Sequence, residues 1–190
     1  MKKILLVLSF LLIGTTITAA EKERDVLILE VAGENTGIIK IELLHEVAPL
    51  HVERVMTLAK MGSYDNVAFH RVIEGFMAQT GDVQFGRVDQ GSLEKAGMGG
   101  SDLPNLKAEF SPLPFRKGVV GMARAQNPNS ANSQFFIMFE DAPFLNGQYT
   151  VFGRVISGQD VVDSIKRGLG SNGSVDNPDY ILRAHIEDPQ

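Results

Sequence analysis

Three stretches of this chain carry residue types whose spacing could do chemistry. The first is Phe69-His70-Arg71-Val72-Ile73-Glu74-Gly75-Phe76-Met77-Ala78-Gln79-Thr80-Gly81-Asp82. It sets Arg71 among Phe, Val, Ile and Met, and a guanidinium cannot escape that setting by losing its proton. Such an arginine snorkels to water, pairs with an acid such as Glu74, or spends its charge on a ligand. On a strand, Met77 and Gln79 share one face, and Ala78 and Thr80 share the other. The second stretch runs from Gly121-Met122-Ala123-Arg124-Ala125 through a polar loop to Gln134-Phe135-Phe136-Ile137-Met138-Phe139, with Gln134 and Phe136 on one face. The third is Phe144-Leu145-Asn146-Gly147-Gln148-Tyr149-Thr150-Val151-Phe152-Gly153. Each stretch alone reads as aromatic core. Together they offer two permanent cations, Arg71 and Arg124, with several amides and apolar rings, and neither a recognised nucleophile nor an acid–base pair.

Other signatures fall away. Gly168-Leu169-Gly170-Ser171-Asn172-Gly173 has the letters of a dinucleotide fingerprint. That fingerprint follows a strand and opens a helix, whereas this run follows a helical pattern and enters Val175-Asp176-Asn177-Pro178, so it reads as a helix cap and loop. His45, His51, His70 and His185 lack metal-ligand spacing, so no metal is assigned. His51, beside Glu53 and Arg54, reads as a surface residue. There is no G-x-S-x-G elbow, and no cofactor is expected. The chain has no cysteine, which excludes disulfides, thiol nucleophiles and Cys-ligated zinc or iron–sulfur clusters. With 18 Lys plus Arg against 23 Asp plus Glu and no basic cluster, nucleic acid is not a fitting partner.

The elements that must position these residues can be read from pattern. Lys2 and Lys3 precede the apolar run Ile4 to Ile13, and Thr18-Ala19-Ala20 follows. That is a secretory signal peptide over residues 1–20, too short to span a bilayer, with cleavage expected after Ala20. Residues 21–190 then form one domain, exported and, in a bacterial setting, periplasmic, with no membrane contact after cleavage. Val26 to Val31 and Ile39 to Leu43 predict a hairpin about a Gly-bounded turn. A helix starts at Ala48-Pro49 and stops at Gly62. Strand patterns recur at Val67 to Ile73, Met77 to Gly81, Val119 to Ala123, Phe135 to Phe139, Thr150 to Val155 and Tyr180 to Ile186. A second helix is expected over about Gln159 to Arg167, with Lys166 and Arg167 in its last turn and Gly168 as cap. Residues 82–107 are glycine-rich and aperiodic, and such long irregular stretches are usually functional. Short strands with two helices point to an antiparallel barrel or sandwich.

In this order and spacing, FHRVI-GFM-QTGD, MARA, NSQFFI and FLNGQYTVFG closely resemble the cyclophilin family of peptidyl-prolyl cis-trans isomerases, over roughly Asp25 to Ile186. The Pro-Asn-Ser-Ala-Asn-Ser run looks most like bacterial members, including exported ones. The resemblance implies a mainly β fold: an eight-stranded antiparallel closed barrel capped by two helices, with a peptide groove on its outer wall. It implies that Arg71 is catalytic, that Phe76, Met77 and Phe136 hold proline with Leu145 at the rim, and that Gln79 and Gln134 orient the peptide. Ala123, Arg124 and Ala125 match a segment that meets peptide largely through backbone. Tyr149 stands where many members have histidine and Phe144 where many have tryptophan, so weak binding of cyclosporin is expected. The implied partners are proline-containing unfolded or flexible polypeptides, and a monomer is the default. Two functions remain: an isomerase that assists folding of exported proteins, or a peptide-binding chaperone that uses the same groove without turnover.

Overall fold

The structure, a computed structural model, describes residues 24–91 and 93–187; the expected signal peptide lies outside them. The chain opens with the expected hairpin, β1 (Val26–Ala32) and β2 (Gly37–Leu43), paired antiparallel from Val26 opposite Glu42 to Val31 opposite Gly37. Their alternation buries Leu27, Leu29, Ile39 and Ile41. Helix α1 (Pro49–Lys60) follows, with proline at its tolerated first position. Its N-cap, Ala48, has no side-chain oxygen to offer. Glu109, from a distant loop, supplies the cap by accepting from the backbone N–H of Leu50 (3.2 Å) and His51 (3.1 Å). The same carboxylate lies 2.6 Å from the His51 ring. His51 is therefore fully buried rather than a surface residue. That burial holds its pKa below the ordinary 6.5, against the upward pull of Glu109.

The remaining strands are β3 (Val67–Ala68), β4 (Arg71–Ile73), β5 (Met77–Thr80), β6 (Val119–Met122), β7 (Phe135–Met138), β8 (Val151–Ser157) and β9 (Tyr180–Ile186). Among the described residues they form one antiparallel sheet in the order β3-β9-β1-β2-β8-β6-β7-β5-β4. The mainly β fold with two helices is as expected, but the closed eight-stranded barrel is corrected to nine strands in one strongly curled sheet. The reason lies in the Val67 to Ile73 run, expected as one strand. Phe69 and His70 break it, and the two halves become the opposite edges of the sheet. The edges are thus joined by two residues of chain rather than by a ladder.

The second helix, α2 (Gln159–Ser164), is shorter than expected. Ile165 leaves helical geometry (φ −52°, ψ 131°) and buries its side chain. The next N–H, of Lys166, donates to Asp179 at 2.9 Å. Arg167 stacks over Phe139, 4.1 Å from the ring centroid, and pairs with Glu74 at 2.6 Å. Arg167 also donates from Nη1 to the carbonyl of Ile165, the residue that ends the helix, whereas Lys166 turns away to Glu34 and the Asn177 carbonyl.

Strands β4 to β7 bury apolar residues on both faces. Val72, Ala78, Val120, Met122, Phe135 and Ile137 point into the main core. The alternate residues Met77, Phe136 and Met138 join a second buried cluster on the outer wall, covered by Phe115, Ala142, Leu145 and Val151. Period-2 side-chain alternation makes this possible: one set of strands builds both the barrel interior and the floor of a surface groove.

Candidate active site

The sheet register sets the site. Arg71 on β4 lies opposite Gln79 on β5, Gln79 opposite Phe136 on β7, and Phe136 opposite Gly121 on β6. Four residues from three separate segments of the sequence thus form one row on the outer wall. Arg71 is half-buried. Its Nε donates to the carbonyl of Asn172 at 2.9 Å, and its Nη1 to Oε1 of Gln79 at 3.2 Å, with the Met77 sulfur 3.9 Å away. Glu74, the acid that could have claimed it, is taken by Arg167. The Arg71 charge therefore rests on neutral acceptors, and its Nη2 makes no hydrogen bond among the described residues.

The row continues sideways. Gln79 Nε2 donates to Oε1 of Gln134 at 2.9 Å, and Gln134 Nε2 donates to the carbonyls of Gly97 (3.0 Å) and Gly99 (2.8 Å). The loop they belong to is pinned from below by Asp82. One oxygen of that carboxylate accepts from the N–H groups of Gln84 and Phe85, the other from those of Gly97 (2.7 Å) and Gly99 (2.9 Å). This accounts for much of the aperiodic stretch 82–107: it is a loop built around one buried carboxylate. His70 is buried beside it with no partner for either ring nitrogen among the described residues, and burial holds its pKa below 6.5.

A cavity of about 410 Å³ opens over the row. Met77 (1 % exposed), Phe136 (5 %) and Leu145 are buried beneath it. Phe76 and Phe144 form one side, with ring centroids 5.5 Å apart, and Phe144 stands 63 % exposed at the edge. Tyr149 closes the other side, edge-on to Phe136 at 5.7 Å. A second cavity of about 400 Å³ adjoins it, and Gln79, Ala123 and Arg124 line both. Ala125 and Gln134 belong to the second alone, with the 97–101 loop, Asn105 and Asn132. Arg124 clasps two loops together. Its Nε and Nη2 donate to the Gln148 carbonyl (3.1 and 2.9 Å), and its Nη1 to those of Ala125 and Gln126. Its guanidinium lies 4.5 Å from the Tyr149 ring centroid, an additional cation–π attraction. The structure thus gathers all twelve sequence-selected residues into two adjoining cavities. No group of three or more metal-ligating side chains occurs among the described residues.

Sequence reasoning missed the residues that support this set. Asn172 holds Arg71 through a carbonyl, which leaves no side-chain signal to read. Phe115 stacks beneath Phe136 at 5.7 Å and 25°, but belongs to no motif. Gly121 stood within a motif, and its role is steric: a Cβ there would lie 2.5 Å from the Phe115 ring and 2.6 Å from that of Phe136.

The family model described as "Cyclophilin type peptidyl-prolyl cis-trans isomerase/CLD" matches residues 27–186. The chain belongs to that family. A probable peptidyl-prolyl cis-trans isomerase of Brucella suis is 56 % identical over 174 residues, which cover 90 % of this chain and 87 % of the relative. A peptidyl-prolyl cis-trans isomerase of Helicobacter pylori is 39 % identical over 138 residues, 70 % of this chain and 78 % of that one. Among solved structures, a cyclophilin type peptidyl-prolyl cis-trans isomerase of Cryptosporidium parvum matches with TM-score 0.73 and 27 % identity, covering 88 % of this chain and 99 % of that one. This cyclophilin is thus an enzyme of the peptidyl-prolyl isomerase class, and the row on its outer wall is its candidate active site.

The Gly121 contact gives a direct test of the cavity. In Gly121→Ala the new methyl group pushes the Phe136 ring upward into the space a ligand would occupy, at a stability cost of about 1–3 kcal/mol. The variant is expected to remain folded by circular dichroism and to lose roughly tenfold or more in kcat/KM. Undiminished kcat/KM would show that the Phe136 floor does not hold the substrate.

Proposed function

We propose that this cyclophilin accelerates X–Pro isomerisation during the folding of exported proteins, with Arg71 as its catalytic residue. Rotation about X–Pro breaks no covalent bond but must give up amide resonance, a barrier of about 18–20 kcal/mol. As the amide twists, the proline nitrogen becomes pyramidal and its lone pair becomes an acceptor. A guanidinium N–H aimed at that nitrogen makes a hydrogen bond that the planar ground state accepts poorly. Such differential binding lowers the barrier. The observation that carries this reading is the state of Arg71: Nε and Nη1 are fixed by neutral oxygens, and Nη2 makes no hydrogen bond among the described residues. A pyrrolidine ring over Met77 and Phe136 would exclude water and strengthen the bond. Gln79 fixes the guanidinium, and Gln134 fixes Gln79. Proline-containing peptides are the proposed ligands; the Cryptosporidium relative has also been crystallised in the presence of the dipeptide Ala-Pro, and in that form matches with TM-score 0.72 and 28 % identity.

A protease-coupled assay on an Ala-Pro peptide tests the mechanism. Wild type is expected to exceed the spontaneous rate, and Arg71→Ala to lose about 10²–10³ in kcat/KM, the usual loss for one transition-state donor, while still binding peptide. Equal turnover by both proteins would remove Arg71 from the chemistry. Turnover by neither, with peptide still bound, would favour the chaperone reading. Cyclosporin added to the same assay is expected to inhibit wild type only weakly. Phe144 supplies a ring at the cavity edge but lacks an indole N–H donor, and a low-nanomolar inhibition constant would contradict that.

The export half of the proposal rests on the sequence pattern of residues 1–20. Mass spectrometry on fractionated bacterial cells is expected to find a monomeric protein in the periplasm whose first residue is Glu21. Recovery of the intact chain from the cytoplasm would overturn it.

A further inference from the structure

The two adjoining cavities have an unusual charge pattern for this chain. Among the described residues no acidic side chain lines either cavity, whereas Arg71 and Arg124 do, in a chain of formal net charge −5. Both guanidiniums are held by uncharged oxygens. Arg71 rests on Asn172 and Gln79, and Arg124 on the carbonyls of Gln148, Ala125 and Gln126. Arginine stays charged at any relevant pH, so two positive charges face the groove without a carboxylate in its lining. Their positions differ in consequence. Arg71 borders only the cavity over Met77 and Phe136, while Arg124 stands on the divide and borders both.

We propose that Arg124 is a specificity-determining residue, and that the preferred substrates carry an acidic side chain within two residues of the proline, on the side that enters the second cavity. This rests on the isomerase reading of the same site. A peptide seated with proline in the first cavity must cross Ala123 and Arg124 to reach the second. Among the described residues, every other side chain that lines the second cavity is uncharged, the polar ones being amides and serine hydroxyls. An anionic side chain at that crossing meets an uncompensated cation in a partly enclosed site, and a cationic one is repelled. Four of the guanidinium's five N–H donors are already spent on the loops, leaving one Nη2 hydrogen and the full charge for the ligand.

The test is a set of short proline peptides with Glu, Gln or Lys placed one or two residues before or after the proline, assayed by kcat/KM at low and high salt. Wild type is expected to prefer Glu over Lys by about tenfold at one of these positions at low salt, and the ratio is expected to shrink towards one near 0.5 M salt as screening sets in. In Arg124→Gln the ratio should collapse at low salt as well. In Arg124→Lys, which keeps the charge but loses the planar clasp, part of the ratio should survive. A purely structural role would lower turnover of Glu, Gln and Lys peptides alike and leave the ratio unmoved, and that result overturns the proposal. So does a wild-type ratio within twofold of one at every position. Failure to accelerate any peptide would instead sink the isomerase reading, so the two failures are distinct.

Discussion

An arginine that is half-buried, permanently charged and, among the described residues, held by neutral acceptors rather than a carboxylate is the constraint on which the site depends. Left in water, the Arg71 guanidinium would have no selective effect on a twisted amide. Paired with an acid, its donors would be spent. The protein meets both demands with neutral acceptors: a backbone carbonyl from Asn172 and an amide oxygen from Gln79. Each of these needs its own support. Gln79 is oriented by Gln134, Gln134 by the Gly97 and Gly99 carbonyls, and that loop by Asp82, so the orientation of Arg71 is traced back to a buried carboxylate outside both cavities. Glu74, three residues along the chain from Arg71, is occupied by Arg167.

The same strands serve two cores, which couples the floor of the groove to the interior. Phe135 and Ile137 pack inward while Phe136 and Met138 pack outward. A shift of one residue in register would exchange the two sets. The floor therefore cannot move without disturbing the interior, where Phe135 meets Tyr64 and Phe152 edge-on at 5.5 and 6.0 Å. Interiors packed to that density resist local adjustment.

Much of this was legible in the sequence, and the failures have physical causes. The strands were readable because period-2 alternation leaves its mark on residue types, and Tyr180 to Ile186 matches β9 in full. The break at Phe69 and His70 left no mark, because both halves remain apolar. His51 was misread since a helix flanked by charges looks exposed; its partner Glu109 comes from a loop 58 residues away. The shortened α2 depends on Asp179, which captures the Lys166 N–H. At the site, side-chain chemistry was legible and backbone chemistry was not. Arg71 and Gln79 stand out by type, whereas the Asn172 carbonyl leaves no residue-type signal, and Gly121 shows in the sequence without the two rings that crowd it.

The central claim is that proline lies over Met77 and Phe136 with the Arg71 guanidinium at its imide. A structure of the protein with an Ala-Pro-containing peptide tests it most directly. The account predicts the pyrrolidine ring within about 4 Å of the Phe136 ring and Met77, and an Arg71 Nη atom within roughly 3.5 Å of the X–Pro group. A proline seated in the second cavity, beside Gly99 and Asn132 and out of reach of Arg71, would contradict it.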